Sequence, residues 1–126
     1  MQPCIKLWIE RDGRLVLSDY RVRLLELVRE TGSLAQAAAR MRLSYRRAWG
    51  KIKELEQNLG IALVISEAGG VGGGHTRLTP EGERLLTLYQ EFQARMHQAL
   101  AREFAAVFGD RGRDRVPVTG GGREEQ

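Results

Sequence analysis

The sequence predicts a mainly α-helical fold with small β elements, on three observations. Serine or threonine stands directly before four stretches of apolar periodicity, at Ser18, Ser33, Ser44 and Thr79. A side-chain oxygen there can accept the free N–H groups of a helix's first turn. Glycine closes two of those stretches, at Gly32 and Gly60, where the chain can leave a helix in the left-handed conformation. The segments that favour β structure are short and flank turn residues, Asp12-Gly13 in one case and a glycine loop in the other.

In order along the chain, Ile-Lys-Leu-Trp-Ile at 5–9 and Leu-Val-Leu at 15–17 form a predicted hairpin around Asp12-Gly13. Ser18 caps a helix running to about residue 31, with Asp19 suited to the positive end of its dipole. Its apolar stripe is Val22, Leu25 and Val28, joined by Leu24 and Leu27. Ser33-Leu34-Ala35-Gln36 fits a capping box. The short helix that follows, 34 to about 41, carries Ala37 and Ala38, small enough for close packing. Arg42-Leu43 is a tight turn, and Ser44 caps a third helix over 45–59. Ala48, Ile52, Leu55 and Leu59, spaced 4, 3 and 4, make its buried face. Leu63-Val64-Ile65 and Thr76-Arg77-Leu78 are paired strands around the glycine loop 68–75. Thr79 caps a long helix with Pro80 at its first position, reaching about Phe108. Residues 109–126 have little apolar content and are expected to fray.

Composition narrows the function. The 126 residues make one domain's worth of chain. One cysteine, Cys4, excludes an internal disulfide and a cysteine zinc site. The two histidines, His75 and His97, lie far apart in sequence, and no nucleophile–base pair, paired acid or ligand cluster stands out. No catalytic residue, metal or cofactor is therefore expected. A P-loop reading of Gly69-x4-Gly74-His75-Thr76 fails, because the lysine and the strand–loop–helix context are missing. No apolar run approaches the roughly 18 residues of a membrane span. The N-terminus lacks the order of a signal peptide. A soluble, cytoplasmic chain without a membrane partner is expected.

The net charge of +4 is concentrated. Residues 33–60 carry 6 basic and 2 acidic groups, whereas 1–32, 61–108 and 109–126 carry +1, −1 and 0. Such a patch marks either a polyanion partner, most often nucleic acid, or a solvated helix face. The same segment is helix, short turn, helix, followed by a glycine-tipped hairpin and another helix. That order is a winged helix-turn-helix, in which the second helix enters the DNA major groove by its N-terminal residues. Tyr45, Arg46, Arg47, Gly50 and Lys51 then face the DNA. Arginine near a helix start can address guanine O6 and N7. Arg46, Gly50 and Lys53 lie opposite the core face, and Arg47, Lys51 and Glu54 form one flank. Ser33, Arg40, Arg42 and Ser44 suit phosphates, which position without specifying. In the wing, Gly72, Gly73 and Gly74 let the backbone approach the sugar–phosphate, with His75 at the edge. A disordered hairpin tip is the competing account of those glycines. Tyr45 is open between DNA contact and packing, and Trp49 is expected to pack partly inside.

The long helix spans about 29 residues, roughly 43 Å, more than one small domain covers. Its stripe of Leu85, Leu88, Tyr89, Phe92, Met96, Leu100 and Phe104 is expected to pair with a second copy, making a homodimer. The alternative is a helix folded back onto its own core.

Three stretches carry a family resemblance: Glu30-Thr31-Gly32-Ser33-Leu34 with Ala37-Ala38; Ser44-Tyr45-Arg46-Arg47-Ala48-Trp49; and Gly69-Gly70-Val71-Gly72-Gly73-Gly74 followed by Leu78-Thr79 and Gly82. With them, residues 5–92 resemble the N-terminal DNA-binding domain of the molybdate-responsive ModE regulators, and more broadly the LysR-type regulators. The resemblance implies a winged helix whose long helix builds a homodimer on double-stranded DNA. It also implies a palindromic site at genes of molybdenum transport or molybdoenzymes. Members of that family bind oxyanion through C-terminal domains, whereas this chain ends within 18 residues of the long helix. The oxyanion site is expected to be absent, with no tight molybdate or tungstate binding and any sensing left to a separate molybdate-sensing protein. The expected layout is a winged helix-turn-helix with its N-terminal hairpin over 1–79, a dimerisation helix over 80–108 and a disordered tail over 109–126. The competing function is a winged-helix protein-interaction or non-specific DNA-binding module that relies on a partner.

Overall fold

The structure, a computed structural model, describes residues 1–67 and 74–109. In chain order the elements are β1 (Trp8–Arg11), β2 (Arg14–Ser18), α1 (Asp19–Thr31), α2 (Leu34–Arg40), α3 (Tyr45–Leu59), β3 (Val64–Glu67), β4 (His75–Leu78) and α4 (Pro80–Phe108). They fall into two units, Lys6–Gln93 and a second made of Met1–Ile5 with the chain from Ala94 onward.

In the unit Lys6–Gln93, β1 and β2 pair antiparallel around Asp12 and Gly13, whose φ angles of 54° and 77° are both left-handed. That is the conformation a two-residue hairpin turn demands. The first strand begins at Trp8, not at the expected residue 5. The reason is a competing partner. The Leu7 N–H donates to Asp19 Oδ2 at 3.0 Å, and the Leu7 carbonyl accepts from the Asp19 N–H at 3.0 Å. The backbone at Leu7 is thus spent on the first turn of α1.

All four predicted caps form. Ser18, Ser33 and Ser44 Oγ each accept a backbone N–H three residues on, at 3.1 Å, and Thr79 Oγ1 accepts the Gly82 N–H at 2.8 Å. The expected capping box at Ser33 is only half made. Its own N–H donates to Thr31 Oγ1 at 3.2 Å, and Gln36 is left exposed. Gly32 and Gly60 close α1 and α3 in the left-handed region.

One apolar core joins β2, α1, α2, α3, the two wing strands and the start of α4. Ala37, Ala38 and Ala48 are fully buried, which permits close approach of α2 and α3. The inward face of α4 is Gly82, Leu86 and Tyr89. Here the sequence reading needs correction. Tyr89, expected to pair with a second copy, is 2% exposed in the chain's own core. Its hydroxyl hydrogen-bonds Asp19 Oδ1 at 2.5 Å and the Leu7 carbonyl at 3.0 Å. Burial, the hydrogen bond to Asp19 and that carboxylate's charge push the phenol well above its ordinary range. Leu86, absent from the predicted stripe, is fully buried, whereas Leu88 points outward. Gly82 is required by this packing, because a Cβ there would collide with the Leu63 carbonyl oxygen.

In the second unit, the rings of Phe104 and Phe108 stack at 5.1 Å on the last turns of α4. Met96, Leu100 and Phe104 are half-buried there. Among the described residues no helix is long and apolar enough to cross a membrane. Apart from Gly109, the predicted tail lies outside the described residues.

Candidate nucleic-acid interface

The turn between α2 and α3 is set by Arg42, which takes a left-handed φ of 57°. Met41 N–H, Arg42 N–H and Leu43 N–H all return to the last carbonyls of α2, the last at 2.9 Å to Ala38. The chain therefore reverses within a few residues and delivers Ser44 as the cap of α3. Ala48, Ile52 and Leu55 then face the core. By helical geometry the other side carries Tyr45, Arg46, Arg47, Gly50 and Glu54, all exposed.

Arg42, Arg46 and Arg47 form no ion pair among the described residues. Arginines of the scaffold are treated differently. Arg21 pairs with Glu54, Arg29 with Glu83 at 3.3 Å and Arg77 with Glu67 at 2.9 Å. Arg40 stands between these cases, exposed and 3.4 Å from Glu30. Three guanidinium groups at the start of α3 are thus left to solvent beside the positive end of a helix dipole. This is an anion-seeking arrangement.

The helix is braced from α1. Arg21 donates to the Lys51 carbonyl at 2.9 Å while pairing with Glu54. The Lys51 ammonium lies 5.3 Å from the centre of the Tyr20 ring. Burial, together with the nearby Arg21 and Arg47 charges, lowers its pKa from the usual lysine value, and Glu54 opposes the shift. An anion binding here would relieve that repulsion.

One expected placement changes. Lys53, assigned to the outward face, folds back over the Trp49 ring at 4.4 Å and pairs with Glu56 at 2.8 Å. It leaves the cationic face and helps hold half-buried Trp49 against the core. Glu56 was not singled out by sequence reading. Its Oε2 accepts the Leu63 and Val64 N–H groups at 2.7 and 3.2 Å, fixing the entry into β3. Burial disfavours its charge, but the bonds from Lys53, Leu63 and Val64 outweigh that, and its pKa falls below the ordinary carboxylate value.

The wing strands are in register from Val64 opposite Leu78 to Glu67 opposite His75. The Thr76 N–H donates to the Gly32 carbonyl at 3.0 Å, which ties β4 to the turn between α1 and α2. Gly74 and His75 are exposed at its open end. Gly72 and Gly73 lie outside the described residues. The hydroxyls of Ser33 and Ser44 both accept from their own helices, as caps. Of the residues expected to pair with a second copy, Leu88 and Phe92 are exposed, Leu85 is half-buried and Tyr89 is internal. No group of three or more His, Cys, Asp or Glu among the described residues could hold a metal.

The pattern of bacterial regulatory helix-turn-helix proteins of the lysR family matches residues 20–83, from the first turn of α1 to the first turn of α4. The chain belongs to that family. This lysR-family chain is 37% identical over 94 residues to the "Molybdenum transport protein ModE" of Azotobacter vinelandii, covering 75% of this chain and 35% of that relative. It is also 37% identical over 89 residues to the "DNA-binding transcriptional dual regulator ModE" of Escherichia coli (strain K12), covering 71% and 34%. The chain thus spans about a third of the length of these curated relatives. The same fold is seen in the crystal structure of the CbnR_DBD–DNA complex, with a TM-score of 0.56 and 24% identity over 70% of this chain and 95% of that one.

Proposed function

We propose that this lysR-family domain reads DNA sequence for a transcriptional regulator, with α3 in the major groove. One observation carries the reading: Arg46 and Arg47 stand exposed, and unpaired among the described residues, on the first turns of the second helix of a helix-turn-helix. Arg40 and Arg42 flank them as phosphate contacts, Ser33 and Ser44 hydroxyls can donate to phosphate, and Tyr45 and Lys51 border the same face. On the wing, the glycines at 72–74 and His75 follow the sugar–phosphate. The exposed Leu88 and Phe92 belong to the pairing face of a homodimer on a palindromic operator. The names of the relatives support an operator at genes of molybdenum transport. The reading involves no catalysis and no cofactor.

Selection from randomised duplex DNA, run at two salt concentrations, tests this. A palindromic motif is expected to emerge. If no motif emerges and all binding is weak and salt-sensitive, α3 holds phosphates only and the sequence-reading assignment is lost.

A further inference from the structure

Gly50 lies in the interior of α3, the sixth residue after the Ser44 cap and on the exposed face, with Arg46 one turn before it and Glu54 one turn after. Nothing in the fold asks for a glycine there. Its φ is not left-handed, and a Cβ built on it would meet no atom within 4 Å. Gly82 shows the opposite case, since a side chain there would strike the Leu63 carbonyl. Glycine in a helix interior is a poor choice on propensity. The missing side chain leaves open surface on the exposed face of α3.

The chemistry of that surface is constrained. In the middle of a helix the Gly50 N–H is committed to the carbonyl four residues back. The position offers no donor, only a bare Cα flush with the helix surface. An apolar group can seat against such a surface without losing a hydrogen bond. On base edges in the major groove the apolar group is the thymine C5-methyl, since the other edge groups are donors and acceptors. The surrounding unpaired arginines fit DNA by charge. Resting on the DNA-reading assignment above, we infer that Gly50 is a specificity-determining residue whose bare backbone receives a thymine methyl, one helical turn from the bases addressed by Arg46 and Arg47.

The test pairs Gly50→Ala with deoxyuridine scanning of the selected operator. The alanine variant should melt a few degrees higher than the parent, about 3–6 °C, because alanine is the better helix former. It should bind the selected operator about tenfold more weakly, with binding to random duplex unchanged. Replacing one particular thymidine by deoxyuridine should weaken the parent about fourfold and leave the alanine variant unaffected. Full affinity of the variant overturns the inference, as does a flat deoxyuridine scan with the parent. A variant that fails to fold overturns it too, by showing that the fold does need glycine at 50. If the parent selects no operator at all, it is the DNA-reading assignment that falls.

Discussion

Single residues divide by whether the fold uses them. Arg46 and Arg47 form no side-chain hydrogen bond or ion pair among the described residues, so their replacement by alanine should leave stability unchanged. Each that touches a base should cost about 1–3 kcal/mol of operator binding and relax one position of the motif. Arg40→Ala and Arg42→Ala should instead weaken all sequences alike and lower the salt slope by about 1 each. Fluorescence anisotropy on specific and random duplexes at several salt concentrations separates the two classes, and identical profiles for all four would merge them into one. Tyr89 belongs to the other kind of residue. Its hydroxyl bridges α4 to Asp19 and to the Leu7 carbonyl. Tyr89→Phe should lower the urea unfolding free energy by about 1–2 kcal/mol while binding of the folded protein to DNA persists. No change in unfolding midpoint would mean that Gln93, which also donates to Asp19 at 3.0 Å, suffices alone.

At the scale of elements, the most informative junction is that between α3 and the wing. Glu56 holds it as an anion, with its pKa below the ordinary carboxylate value near 4.5. A carboxylate with a depressed folded pKa contributes stability that is present above its unfolded pKa and lost as pH falls through the folded one. Stability of the parent should therefore drop below about pH 4.5, and Glu56→Gln should be less stable at neutral pH with a smaller acid loss. Denaturation curves from pH 3 to 7 show whether the two converge. The boundaries of α1, α3 and α4 were legible in the sequence because each is marked by a local signal, a capping oxygen or a glycine. What was not legible is long-range. Glu56 reaches β3 by backbone bonds that no spacing rule announces. Arg21 meets α3 thirty residues on. Strand β1 starts late because Asp19, twelve residues on, takes the Leu7 N–H. The inward face of α4 was displaced because Leu85 and Leu86 are adjacent, and a spacing of 3 or 4 accommodates either. The arginine face was the most legible part of the site, since buried Ala48, Ile52 and Leu55 fix its direction by geometry alone. Lys53 escaped that logic through the pull of Trp49 and Glu56.

At the scale of the whole molecule the proposal is a pair of copies. Leu88 is 57% and Phe92 40% exposed one turn apart on α4, an apolar surface that a second copy can cover. The double change Leu88→Glu and Phe92→Glu leaves α3 untouched and meets the core only where the Phe92 ring packs edge-on against Tyr89. It should give a folded monomer by sedimentation, with loss of binding to a two-half-site operator far exceeding that to one half-site. A variant that still sediments as a dimer would move the interface elsewhere.

The split between braced and unbraced arginines has a consequence for how such a domain changes over time. The side chains proposed to choose the operator make no contacts that the scaffold depends on, while those that hold α3 in place, Arg21, Lys53 and Glu56, are turned away from that choice. Address and architecture are written in separate letters. A lineage can exchange positions 46, 47 and 50 and acquire new target genes without passing through an unfolded intermediate, and a combinatorial library confined to those three positions inherits the same freedom.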